Sequence, residues 1–328
     1  MNARVSFLRG WQRIRPLAPP PGVMVVLYGV APSLHEVFLP PPVFVSLLTD
    51  NAFLGIAALG ATLVIFSGGI DLSVGAVIGF TSIFVATLIE RHAVPPLLAW
   101  VIGLGAGTVL GGVMGWLIHH FKLPPFLITL AGMFFARGLG FWIGTESIGI
   151  NSPLYARIAS FELGTSSWVF PANALILLGA MGLVYLLAHH SRFGRNLLAI
   201  GGSEHSALLM GLPIGATKIA VYALSSFCAA SAGIVATFYT GSGNPSMGVG
   251  LELDAIAIVV IGGTLLSGGR GHILGTVLGI LVFGTLQAAI LFDGRLSSWW
   301  MRIVVGGLIL VFILLQRLVL RHVAQRVG

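Results

Sequence analysis

The sequence predicts an all-α, polytopic transmembrane helical bundle, and three observations carry that expectation. Only 8% of the 328 residues are charged and 56% are hydrophobic, whereas about a quarter of a soluble domain is charged. Mean hydropathy is +1.00. The 45 glycines are spread through the apolar runs and do not gather in linkers, which suits close helix packing where lipid provides no hydrophobic drive. One membrane domain is expected.

Apolar segments of spanning or near-spanning length fall at about 22–39, 50–66, 74–89, 97–118, 124–143, 172–188, 219–240, 253–267, 272–292 and 298–316, which makes ten. Residues 1–20 form a basic segment, 21–317 the transmembrane domain and 318–328 a basic tail. The head PGVMVVLYGVA after Arg4, Arg9, Arg13 and Arg15 imitates a signal peptide, but further spans follow and no clear cleavage site does, so it reads as an uncleaved first helix. An even count puts both termini on one side, and Arg-rich ends make that side cytoplasmic. The same alternation places 189–218, with Arg192, Arg195 and Lys218, inside, and 144–171 and 241–252 outside.

Between the second and third spans lies SGGIDLSVG (67–75), a carboxylate, two hydroxyls and three glycines between long apolar runs. A charge at a helix centre costs about 2.5–3.5 kcal/mol on insertion scales, and irregular backbone survives at membrane depth only inside protein or around a water-filled cavity. Asp71 is therefore a functional candidate, with Ser73 and the N–H groups of Gly68 and Gly69 as its nearest partners. It can cap the following helix, line a path for a hydroxyl-rich ligand, or do both.

A partial echo of this stretch recurs 200 residues on, SGGIDLSVGAVIG (67–79) against SGGRGHILGTVLG (267–279). Repeated broken helices at matching positions of two halves are a transporter feature. Glu252 and Asp254 form a second acidic pair at the expected external entrance of the eighth span, where capping by the helix dipole competes with a role in the path. The glycine strip 103, 107, 111 and 115 reads as helix packing.

The stretch HHSRFGRNLLAIGGSEHSALLMGLPIG (189–215) is too polar to span. Ser203 can cap a short helix from Glu204 to Met210, with Gly211 as its stop and Pro213 beyond. Such a helix shows Ala207, Leu208 and Met210 to a surface and His205 and Ser206 to water, which suits a knob for a cytoplasmic partner or a helix lying on lipid headgroups.

Several classes have no support. The single Cys228 forbids an intramolecular disulfide and reads as a small core residue. Neither Lys122 nor Lys218 follows a glycine as a phosphate-binding loop requires, the nine histidines show no metal-ligand spacing, and no nucleophile and base stand in a catalytic arrangement. The net charge of +7 sits at the termini and one loop, so nucleic acid is not indicated. No cofactor, metal or enzyme activity is expected.

The runs GGIDLSVG (68–75), RFGRNLLAIGG (192–202) with its following GLP, and ELDAIAIVVIGGTLLSGG (252–269) together resemble the permease subunits of bacterial ABC importers of the ribose and simple-sugar class. LTDNAFLGI (48–56), ITLAGMFFARG (128–138), ESIGINSP (146–153) and LSSWW (296–300) look most like the galactofuranose permease, with Trp299 and Trp300 where many ribose-type members have tyrosines. The resemblance spans roughly residues 45–316. It implies an inner-membrane subunit that pairs with a second, identical or sister permease, docks a cytoplasmic ATP-binding subunit and receives sugar from a periplasmic binding protein. Residues Arg192, Gly194, Arg195, Ser203, Glu204, Ala207, Leu208 and Gly211 then belong to the coupling loop, while Asp71, Ser73, Glu252 and Asp254 are, from the residues themselves and not from the resemblance, the candidates for a substrate path. The competing expectation is a stand-alone proton-coupled transporter using Asp71, Glu252 and Asp254.

Overall fold

The computed structural model describes residues 41–165, 168–293 and 299–324, so the basic N-terminal segment and the expected first span lie outside the described residues. Helices dominate. In chain order they are α1 (Pro41–Asp50), α2 (Ala52–Phe66), α3 (Val74–Glu90), α4 (Pro96–His120), α5 (Pro125–Ile143), α6 (Pro153–Ala159), α7 (Ala172–His190), α8 (Arg192–Gly202), α9 (Glu204–Leu209), α10 (Ile214–Thr240), α11 (Leu251–Ile261), α12 (Ile273–Asp293) and α13 (Trp299–Ala324).

Helices α2 and α3 are apolar all round, and such helices have to be buried. They form the middle of the bundle, beside the 27-residue α10. Helices α4 and α5 start on prolines, whose missing N–H would be unpaired there anyway. Both helices turn large apolar side chains such as Val101, Val109, Phe134 and Trp142 outward, as lipid-facing helices do. The glycine strip of α4 is a packing groove: side chains there would run into Val85 of α3 and into Ile219, Tyr222 and Ala230 of α10. Cys228 is buried in the core, on the face of α10 that meets Gly60.

Five described helices are long and apolar enough to cross a membrane, and the pair α1 and α2, bent by 61°, makes six if counted as one span. The expected ten segments map onto the described helices except the first. The second is half of the bent pair, the third is 17 residues long, the expected eighth span, 253–267, stops at Ile261 after 11 residues, and the tenth counts only as a shorter apolar helix, Arg302–Val311. Apolar composition continues past Ile261, but the Gly262–Gly263 pair ends the helix. Gly263 takes φ 85°, and the N–H groups of Gly263 and Thr264 close back on the carbonyls of Val260 and Val259.

Two small ribbons depart from an all-α expectation. Ile148–Gly149 (β1) pairs antiparallel with Ser242–Gly243 (β4), and Glu162–Thr165 (β2) pairs with Trp168–Pro171 (β3). The partner of β1 lies almost a hundred residues away, so local sequence carries no signal for it. At this stranded end Trp100 Nε1 donates to Tyr155 Oη at 3.0 Å, Tyr155 and Thr237 share a hydrogen bond at 3.2 Å, and Glu90 Oε1 accepts from the Asn151 N–H at 2.7 Å. The opposite end carries α8 and α9.

Candidate functional site

Asp71 is 2% exposed and fully engaged. Its Oδ1 accepts from the Ser73 N–H at 2.9 Å and the Ser73 Oγ at 2.6 Å, and its Oδ2 accepts from Ser225 Oγ of α10 at 2.8 Å. The carboxylate thus closes a turn into α3 and ties that turn to α10. The N–H groups of Gly68 and Gly69, expected as partners, instead bond the carbonyls of Ile65 and Val64, with Gly68 at φ 79°. That is the terminating motif of α2, which needs glycine in the left-handed region. Tyr222, buried one turn before Ser225, places its hydroxyl against Gly69 and finds no hydrogen-bond partner.

The two echoed stretches meet in space. A Cβ on Gly268 would lie 2.6 Å from the Gly68 Cα, and the Gly269 N–H donates to the Phe66 carbonyl at 3.1 Å. Gly201, near the end of α8, fits between Phe66 and Gly269 with no room for a side chain. Their local roles differ, because the counterpart of the α2 terminus is Gly262–Gly263 and not Gly268–Gly269. Gly75 and Gly79 of α3, and Gly279 of α12, do share a role, each receiving a neighbouring backbone at close range. Thr62 and Thr276 link α2 to α12 at 2.9 Å.

The second acidic pair is deeper than an external entrance. Segment 242–250 enters the bundle along α3 in the opposite direction. Ser82 Oγ donates to the Asn244 carbonyl at 3.0 Å and accepts from the Asn244 N–H at 3.2 Å. Gly79 faces the carbonyls of Pro245 and Met247, and Gly75 faces the Gly248 carbonyl and the Glu252 carboxylate. From Ala86, beside Gly243, to Gly75 the segment follows α3 for roughly 16 Å at 1.5 Å per residue. Helix α11 therefore begins next to the first turn of α3, within the bundle, with Glu252 and Asp254 in its own first turn. One oxygen of Glu252 is buried with no hydrogen-bond partner. Asp254 is within electrostatic reach of Arg302 and Glu252.

Arg137 of α5 reaches this segment. Its Nη1 donates to the carbonyls of Pro245 at 3.3 Å and Met247 at 3.0 Å, and its Nη2 donates to that of Gly248 at 3.4 Å. Sequence reasoning passed over it, although it is the one charged residue in the apolar run 124–143, a signal of its own.

In the loop region Ser191 caps α8 by accepting from the Gly194 N–H, and Ser203 caps α9 by accepting from the Ser206 N–H at 3.2 Å. Gly211 turns the chain at φ 73°. Gly194 is buried against Ala188, while Arg192 and Arg195 are exposed. Helix α9 ends at Leu209, and its faces differ from the expectation. Ala207 is fully buried against Ile200 and Ile214, whereas Leu208, Leu209 and Met210 are 61%, 75% and 66% exposed. The small side chain faces inward because α9 must fold back onto α8 and α10. Lys218 lies in α10, and its Nζ donates to both Glu204 carboxylate oxygens, at 2.8 and 2.7 Å. That is the only salt bridge among the described residues.

A bundle of apolar helices, two of which stop inside it, around an apolar core with a buried Asp71 fits an integral membrane protein. The family described as "Branched-chain amino acid transport system / permease component" matches residues 43–314, and the chain belongs to it. It is 48% identical over 314 residues to the inner membrane ABC transporter permease protein YjfF of Escherichia coli K12, covering 93% of each chain. It is 42% identical to the fructose import permease protein FruG of Bifidobacterium longum, covering 84% of this chain and 82% of that one. It is also 38% identical to the ribose import permease protein RbsC of Bacillus subtilis, covering 90% of each. No solved structure matches. The protein is thus a multi-pass inner-membrane permease component of the ABC type, similar to simple-sugar permeases.

Proposed function

We propose that the chain is one permease half of an ATP-driven monosaccharide importer, coupled to a separate cytoplasmic ATPase. The observation that carries this is α9: a capped helix with an apolar tip at Leu208, Leu209 and Met210, held to α10 by the Glu204–Lys218 pair. Three large exposed apolar side chains suit a protein partner, Arg192 and Arg195 of the same loop are exposed as well, and the adjoining Gly201 packs directly on the end of α2 and on Gly269. Relatives named for ribose and fructose import support a monosaccharide cargo. Within that class we assign a galactofuranose-like sugar, on the strength of the runs at 48–56, 128–138, 146–153 and 296–300.

In this reading the loop end is cytoplasmic and the stranded end faces the periplasmic binding protein. Ten spans, including the segment at 22–39, put both termini inside, and a second permease chain completes the path. Asp71 and Ser73 shape that path at the break between α2 and α3, and Glu252 and Asp254 at the start of α11. No observation favours the stand-alone proton-coupled transporter.

Mild detergent extraction of the tagged chain, expressed with its ATP-binding and permease partners, tests the assembly. A complex with two ATP-binding subunits and two permease chains is expected. A chain that purifies alone and transports sugar on a proton gradient would overturn the reading.

A further inference from the structure

Arg137 poses a problem in charge placement. It is half-buried in an apolar helix, and its guanidinium donates to three backbone carbonyls, those of Pro245, Met247 and Gly248. Carbonyl oxygens stabilise a cation less than a carboxylate does. A carboxylate is near: Glu252 exerts an electrostatic pull on Arg137, yet makes no salt bridge with it, and one Glu252 oxygen is buried without a partner. The guanidinium holds the chain just before the turn at Gly248–Gly250 and Glu252 follows just after it, and the two glycines of the turn hold φ 84° and 86°. The arrangement leaves the strongest available pairing unmade.

We propose that Arg137 is a latch with two bonding states, a positioning residue for transport. In the state seen here the guanidinium clasps the carbonyls of 245–248 and holds segment 242–250 shut along α3. In the other state it transfers to the free oxygen of Glu252, the carbonyls are released, and the segment swings off Gly79 and Ser82, opening the bundle from the stranded end towards the first turn of α3. The exchange needs no change in protonation, because one set of acceptors replaces another. Segment 242–250 is suited to such movement, since it lies on α3 as a turn-rich strip whose neighbours at Gly75 and Gly79 present no side chain.

The inference rests on the permease reading, and its test separates the two. Ser82 is fully buried beneath Asn244, so Ser82→Cys in a Cys228→Ser background reports whether the segment is shut. A membrane-impermeant methanethiosulfonate reagent is applied from the stranded side to the assembled complex in membranes. The parent should react slowly. Arg137→Gln should raise the rate at least tenfold, and Glu252→Gln should leave it slow while lowering sugar uptake at least tenfold, because the receiving charge is gone. Arg137→Lys, which keeps charge but loses the fork, should accelerate labelling by about threefold and serves if Arg137→Gln fails to reach the membrane. Ser226→Cys, buried on α10 away from the segment, should stay slow throughout.

Equal labelling of Ser82→Cys with and without the Arg137 substitutions overturns the latch. So does acceleration at both 82 and 226, or acceleration in Glu252→Gln. The labelling needs neither sugar nor ATP, so the expected labelling pattern alone, in a chain that imports no sugar, would sink the permease reading and leave the latch standing.

Discussion

Replacing Asp71 separates scaffold from pathway, and the structure sets the sizes. Three donors converge on its carboxylate: the Ser73 N–H, the Ser73 hydroxyl and the Ser225 hydroxyl, with both serines fully buried. Asp71→Ala strands all three where water does not reach. At about 1–3 kcal/mol for each buried group left unpaired, the three together cost about 3–9 kcal/mol. Asp71→Asn keeps an acceptor for the Ser73 N–H and offers its amide to the Ser225 oxygen, so the loss is confined to the charge-assisted share, about 1–2 kcal/mol. Membrane abundance and the thermal midpoint of the detergent-solubilised complex should therefore fall steeply for Ala and slightly for Asn, while sugar flux per assembled Asn complex stays near normal. Ser225→Ala should behave like Asn, and combining it with Asp71→Asn should cost less than the sum, since both remove the same bond. An Asn variant assembled at normal levels but without flux would refute the scaffold account, and a stable Ala variant would refute the energetics.

The remaining predictions concern the loop end and the topology. Leu209→Asp should leave membrane abundance unchanged and abolish sugar-stimulated ATP hydrolysis. Ala207→Asp, which buries a charge against Ile200 and Ile214, should lower abundance itself, and equal ATPase activity in the Leu209 variant and the parent would remove the docking role. Glu204→Gln should cost no more than about 1 kcal/mol in thermal stability, because Glu204 is 55% exposed in its pair with Lys218. His272 Nδ1 accepts from the Leu274 N–H at the start of α12, and burial lowers its pKa from the usual 6.5. Below pH 6.5 the unfolded chain takes up that proton first, so stability should fall with pH, and less so in His272→Asn. Single cysteines at 192 and 146 in a Cys228→Ser background should label from opposite sides, with only 146 open to an impermeant reagent in intact cells, and the reverse pattern would invert the topology.

The membrane class and most helices were readable from composition and apolar run length, because a lipid solvent demands both. The break at Asp71 was readable for the same reason, a charge between spans. The Ser203 cap and the Gly211 stop followed from local chemistry. The rest depended on contacts between distant residues. Ser225 looks like any small residue in α10 until the fold brings it to Asp71, 154 positions away. The expected eighth span read as one because hydropathy averages over Gly262 and Gly263, and Ala207 read as surface because a six-residue helix leaves its buried face undecided until α8 and α10 are placed.

The most direct test of the central claim is uptake by proteoliposomes holding the purified complex, with the sugar-loaded binding protein outside and ATP enclosed. The account predicts sugar accumulation that requires ATP, persists when the proton gradient is collapsed, and is lost in Leu209→Asp. Accumulation driven by a proton gradient without ATP would contradict it.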